Sequence, residues 1–418
     1  MTRGRTLLIA VDALGAEGAR HLRRLPGPLA SAASLRVLPG GPAEAAPSLV
    51  CLGTGASVRR TGVPTQHAPD PQDPSASRPW YAQALRVPTL FDAAAEAGLR
   101  TAALQWPATA GARIDLCLPL VEDLHRYGDR WTMARETSSP AMWERHLAPR
   151  RAAGVHLSSA PPDALVAEIA AEALHRSTRA DPLDLLAVRM TGCAAAQHRA
   201  GPGSPTAQRA LADLAERCGQ VLDAFAAGPQ DRVLLVPGRP GAPVRMLLHP
   251  NTALAAAGLL HAEDPRSLDG DAVVLPDGPC AIVHVRRGSA ARSRALEVLA
   301  GFAEEHGLAL REILEGQGAS ATTDAVAVLT GPRGILFGAS ATQRPAITGE
   351  DPYYAGPRAV ADPGAAVEVL ACGPDLPGDS SEGSWADLGA SIAAAMGLAL
   401  RGATARGLAL PADRLRAG

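Results

Sequence analysis

Thr6-Leu7-Leu8-Ile9-Ala10-Val11, running into Asp12-Ala13-Leu14-Gly15, decides the fold class. The run shows no polar alternation, so it suits a strand buried on both faces, as in a parallel sheet. A helical stretch follows at 17–25. Similar short apolar runs recur at 101–105, 185–188, 233–236 and 367–370. Between them, 90–98, 162–175 and 205–227 carry apolar residues at helical spacing, and Gly98 fits a helix C-terminal cap. Strands alternating with helices predict an α/β fold, a mostly parallel sheet flanked by helices.

Residues 241–345 read differently. Ala272-Val273-Val274-Leu275 and Ala281-Ile282-Val283-His284-Val285 flank the turn Pro276-Asp277-Gly278-Pro279. A helix over 291–306 and two further strands, 325–329 and 334–337, follow. This predicts a small α+β cap subdomain over 241–345, inserted in an α/β core of 1–240 and 346–418. The Gly/Pro-rich stretches 62–80 and 345–365 read as loops.

With 418 residues, 47% hydrophobic and 20% charged, the chain is long enough for a large core and has a globular composition. A net charge of −2 gives no basic footprint for nucleic acid. No apolar run is long enough for a bilayer, and the first strand is too short for a secretory signal, so a cytoplasmic location is expected. The six cysteines form no C-x-x-C pair, which excludes a zinc ribbon or a thioredoxin motif. Every Lys+Arg position is Arg, the codon bias of a very GC-rich, actinobacterial type of genome. That excludes a P-loop or a Schiff-base lysine.

Asp12 follows the first strand. Ligands of open α/β sheets sit beyond the carboxyl ends of the strands, so Asp12 is a candidate site residue, with a helix cap as the alternative. Several further segments carry a resemblance. They are Pro47-Ser48-Leu49-Val50-Cys51-Leu52-Gly53-Thr54-Gly55, Trp106-Pro107-Ala108-Thr109, the stretch from Asp184-Leu185-Leu186 to His198-Arg199-Ala200-Gly201-Pro202, and Cys372-Gly373-Pro374. In this order the chain resembles the type I phosphodiesterase/nucleotide pyrophosphatase family of the alkaline phosphatase superfamily, over about residues 5–400.

The resemblance implies two metal ions, usually zinc, that clamp a phosphoryl transfer, and a Thr or Ser nucleophile. Carried over residue by residue, Asp12 and His198 match ligand positions. The nucleophile position falls on Ala45, the Asp partner of His198 on Ala194, and a further ligand pair on Gly238 and Arg239. The last His should fall near Ala355 or Gly356, and no His follows His306. Zinc sites need three or four protein ligands. The expectation is therefore a degenerate member with no cofactor, whose cleft binds a small molecule or runs a metal-independent reaction, as in a specialised-metabolite pathway. If any metal binds, Asp12 and His198 hold it. Asp12, His198 and Ser48 are the candidate catalytic residues, with a helix N-cap as the alternative for Ser48. Arg239 and Tyr354 are the candidate substrate-binding residues. Cys51, Cys193 and Cys372 lie near these segments, as rewired zinc ligands or as small buried hydrophobes. Arg59 and Arg60 are candidates for an anionic substrate or for a solvated surface. A rewired metal-dependent phosphodiesterase and a non-catalytic partner protein are the competing readings.

Overall fold

The computed structural model describes residues 4–38, 45–63, 65, 80–157, 161–178, 181–261, 269–286, 290–312 and 323–409. Six strands build the first part of one sheet: β1 (Thr6–Val11), β2 (Ala33–Val37), β3 (Thr101–Leu104), β4 (Leu116–Leu118), β5 (Leu185–Met190) and β6 (Arg232–Pro237). The chain then leaves it for β7 (Gly241–Pro243), β8 (Met246–Leu248), β9 (Leu260–His261), β10 (Asp269–Gly270), β11 (Ala272–Asp277), β12 (Cys280–Arg286), β13 (Ala309–Glu312), β14 (Thr323–Thr330), β15 (Ile335–Phe337), β16 (Ala346–Thr348) and β17 (Ala359–Ala361). It returns with β18 (Val367–Cys372) and β19 (Glu382–Gly383). The order is β19-β2-β18-β6-β1-β5-β3-β4, with β6, β1, β5, β3 and β4 parallel and β18 antiparallel to both its neighbours.

β1 is apolar on both faces because both are covered. Leu7, Ile9 and Val11 pack with Leu165, Ile169 and Val166 of the helix Asp163–Arg176 and with Val221 and Phe225 of the helix Pro205–Phe225. Leu8 and Ala10 pack on the other side with Leu49 and Leu52 of the helix Ala45–Thr54, Phe91 of the helix Leu90–Glu96, and Leu388 and Ile392 of the helix Trp385–Ala395. Each large side chain so buried contributes roughly 1.5–3 kcal/mol. The helices Ala45–Thr54 and Trp385–Ala395 cross closely at Gly389, where a Cβ would stand 1.9 Å from the Leu52 carbonyl oxygen.

The segment between β6 and β18 is built largely of antiparallel strands. β11-β12-β14-β13 form a four-stranded antiparallel sheet, with Gly278 at φ 62 in the two-residue turn that joins β11 to β12. The helix Arg292–His306 packs Leu299 and Phe302 into this sheet's own core with Val274 and Val283. β16 pairs with β8, and β17 with β7. The stretch 345–365 is thus not all loop. Its strands are three residues long, too short for their alternation to stand out among Gly and Pro. Most of 62–80 lies outside the described residues.

One buried histidine ties the periphery to this frame. His146, in the π-helical turn Trp143–Leu147, is fully buried and shares a 2.8 Å hydrogen bond through Nδ1 with Glu172, which Arg150 also grips. Its Nε2 is buried and has no partner among the described residues. Burial draws the imidazole below the usual histidine range, against the pull of Glu172. A second proton on the ring is therefore less welcome in the folded chain than in the unfolded one. Stability is complete above the unfolded value near ~6.5 and is lost as pH falls below it. Tm should decline between pH 6.5 and 5, and a His146→Gln variant should show a flatter profile by thermal denaturation across that window. Equal slopes for the two proteins would remove His146 as the cause.

Candidate functional site

A cavity of about 100 Å³ opens beyond the C-terminal ends of β1 and β6. Asp12 ends β1, and Gly238 and Arg239 follow β6. The first turn of the helix Ala45–Thr54 brings Ala45 and Ser48, and the helix Gly192–Ala200 brings Ala194, Gln197 and His198. Val360 of β17 and Trp385 complete the wall. The structure thus gathers Asp12, Ser48, His198 and Arg239 around one space, together with Ala45, Ala194 and Gly238, onto which the resemblance placed a nucleophile and two ligands.

Asp12 is neither a helix cap nor an isolated carboxylate. The following helix, Gly15–Leu22, has Leu14 as N-cap with no side-chain cap bond. Both Asp12 oxygens are held by Arg189 of β5: Nε donates to Oδ1 at 3.0 Å and Nη2 to Oδ2 at 2.6 Å. Arg189 is 4% exposed. A guanidinium buried in an otherwise apolar strand requires a counter-charge, and the adjacent strand end supplies it. Proton transfer by Asp12 would have to break this pair.

Gly238 is equally constrained. Its N–H donates to Val11 O at 2.6 Å and its carbonyl accepts from Gly15 N at 3.1 Å. A Cβ at 238 would lie 2.7 Å from the Ala13 nitrogen. The turn after β1, with Ala13 at φ 57, occupies the space a side chain at 238 would need. A carboxylate cannot be mounted there without moving that turn.

The helix that carries His198 is held at its start by Asp163, whose carboxylate accepts from Thr191 N at 2.9 Å and Gly192 N at 3.0 Å. Gly192 is needed for this approach, since a Cβ there would lie 2.6 Å from Asp163 Oδ2. Burial pushes the Asp163 carboxyl up, and the two backbone donors oppose that. Arg358 N donates to the His198 carbonyl at 2.7 Å. His198 lies at the rim with part of its surface in solvent. Desolvation lowers its pKa, and the nearby Asp12 carboxylate pulls the other way.

The remaining candidates fall elsewhere. Ser48 is buried inside the helix Ala45–Thr54, one turn in, so it is not an N-cap. Tyr354 does not border the cavity. It is 5% exposed and donates its hydroxyl to Pro357 O at 2.7 Å, within its own loop, with Arg358 over its ring. Arg59 and Arg60 are exposed on the helix Val58–Thr61, away from the cavity wall. Burial pushes the Cys51 and Cys193 thiols up to about 12, which disfavours the thiolate that zinc requires. Cys372 is half-buried on β18 and does not border the cavity. Among the described residues, no group of three or more His, Cys, Asp or Glu side chains converges. With Asp12 taken by Arg189 and no room at Gly238, this donor set does not fit a zinc centre.

Arg189, Gln197, Asp163 and Trp385 escaped the sequence reading. The signal for Arg189 was present: a charge inside the apolar run Leu185–Met190 must be answered by an opposite charge.

The family model described as type I phosphodiesterase / nucleotide pyrophosphatase matches residues 6–237, from the start of β1 to the end of β6. A comparison with curated proteins found no match. Among solved structures, an inactive threonine-to-alanine form of murine ectonucleotide pyrophosphatase/phosphodiesterase 5 in complex with AMP is similar, at 14% identity and a TM-score of 0.60 over 97% of each chain. A second structure of the murine protein gives 14% and 0.59, covering 96% of this chain and 97% of that one. The human counterpart gives 13% and 0.59 with the same coverage. At such identities the likeness shows the fold.

The Arg189–Asp12 pair makes a direct prediction. Arg189→Met leaves a buried carboxylate without its counter-charge and should cost about 3–5 kcal/mol in urea unfolding. Adding Asp12→Asn should recover about half of that, because the stranded charge goes with it. A single-variant loss under about 1 kcal/mol would mark the pair as energetically minor.

Proposed function

The chain belongs to the type I phosphodiesterase / nucleotide pyrophosphatase family, and from that premise we propose that it has left two-metal phosphoryl transfer and uses its cavity for a small anionic molecule, metal-independently. One observation carries this reading. The charge that a metal would bring to Asp12 is already supplied by Arg189, and the Gly238 position is closed by the β1 turn. The absence of a hydroxyl at Ala45 supports the loss of hydrolysis, since nucleophile and metals together supply most of the barrier reduction in such a reaction.

What remains suits an anion. Arg239 is 5% exposed and brings a guanidinium to the wall. The first turn of the ten-residue helix Ala45–Thr54 adds the positive end of a helix dipole. The murine relative's complex with AMP supports a phosphate-bearing, nucleotide-like ligand. His198, held toward its neutral form by partial burial, is the group placed to accept a proton if a reaction follows binding.

Titration with AMP in the presence of EDTA tests the proposal, alongside assays on a chromogenic phosphodiester with and without zinc. AMP should bind equally well with and without chelator, hydrolysis should stay at background, and dialysed protein should hold well under one equivalent of zinc by elemental analysis. Rapid hydrolysis that disappears on chelation would overturn the proposal and restore a metal-dependent phosphodiesterase.

A further inference from the structure

A second cavity, of about 60 Å³, lies at the opposite end of the sheet from the one beyond β1 and β6. Arg100 precedes β3 and Leu183 leads into the parallel β5, so this space sits at the N-terminal ends of the strands. The last turn of the helix Asp163–Arg176 brings Arg176, with Ser177 just after it, and the π-helical turn Trp143–Leu147 brings Arg145 and His146. The same helix separates the two cavities. Its first residue, Asp163, holds the start of the helix that carries His198, and its last, Arg176, borders this space about 20 Å along the axis.

Arg100, Arg145 and Arg176 all border this space, and the carboxylates nearby are already paired. Asp181 on the wall is bound to Arg100. Glu172, on the far side of the His146 ring, is held by His146 and Arg150. Arg145 and Arg176 are exposed and make no hydrogen bond or ion pair among the described residues. Arg176 stands close enough to His146 for its charge to oppose a second proton on the ring. Ser177 Oγ accepts from Leu183 N at 2.7 Å, which leaves its own proton to donate. Two cations brought to one small space repel each other, a cost that an anion between them removes. We infer that this cavity binds one small tetrahedral oxyanion, a sulfate ion or a phosphate group, between the guanidinium groups of Arg145 and Arg176, with the Ser177 hydroxyl as a further donor. Arginine is the side chain whose planar donors match such oxygens. The volume admits a group of a few heavy atoms, so a polyanion could only lie across the mouth. The site is independent of the ligand proposed for the cavity at β1 and β6.

The test is calorimetric titration with sulfate at low ionic strength, on the wild type, Arg145→Gln, Arg176→Gln and the double variant. Both side chains are exposed, so the variants should fold with Tm nearly unchanged in the absence of sulfate. Each single change should weaken binding roughly tenfold, and the double variant should lose one equivalent of sulfate. Added sulfate should raise Tm more for the wild type than for the double variant, since its general effect through exclusion from the surface acts on both alike. Inorganic phosphate and methyl phosphate separate the two sources of the anion: equal binding assigns the site to the free ion, and tighter binding of the ester to a phosphate monoester. Should the double variant fail to fold, the wild type still decides, because sulfate must shift the His146 ring resonances. If the wild type binds no sulfate, if the double variant binds as many equivalents as tightly, or if the His146 resonances stay in place, the inference is overturned. Binding of AMP by the double variant, tested in parallel, reports on the other cavity alone, so the two proposals fail separately.

Discussion

The ion pair between Arg189 and Asp12 organises the site end of the sheet. β1 and β5 run parallel, with Ala10 opposite Arg189 and Val11 opposite Met190, so the guanidinium and the carboxylate meet where both strands finish. The turn that follows Asp12 carries Ala13 in a left-handed conformation. The Gln197 amide holds the Ala13 carbonyl, and Gly238 packs under its nitrogen. Strand, turn and two neighbouring segments are therefore fixed relative to one another by contacts that begin at one charge pair. A buried pair of this kind is weak evidence for net stability, since desolvation opposes the attraction. Its clearer consequence is geometric.

The sheet was legible because its signals are local and repeated. The run Thr6-Leu7-Leu8-Ile9-Ala10-Val11 and the run within Leu185–Met190 are apolar for the same reason, coverage on both faces, and the helices between them keep apolar residues at one spacing. β2 was not read, because Ala33–Val37 is short, carries Ser34 and Arg36, and follows a Pro/Gly-rich stretch. The ordered resemblance brought Ala45, Ala194, His198 and Gly238 to one place in the sequence argument, and these positions border one cavity.

The rest of the site was hidden because it depends on pairings far apart in the chain. Arg189 meets Asp12 across 177 positions, and Asp163 reaches Thr191 from another helix. Trp385 reads as one more apolar residue on a helix, and only its place in space brings it to the cavity wall. Tyr354 shows the reverse error. An aromatic near the position where the resemblance expects a last His suggests a pocket wall, but its hydroxyl is satisfied three residues away by Pro357 and the ring stays in its own loop.

Gly238 also bears on how the chain could be redesigned. A side chain grafted at 238 would place its Cβ 2.7 Å from the Ala13 nitrogen, while Asp12 is already committed to Arg189. A carboxylate introduced there would push the turn after β1 out of place before it could serve as a ligand, and freeing Asp12 would need a second change at Arg189. Redesign of the cavity wall therefore has room at other bordering positions, but at 238 packing decides.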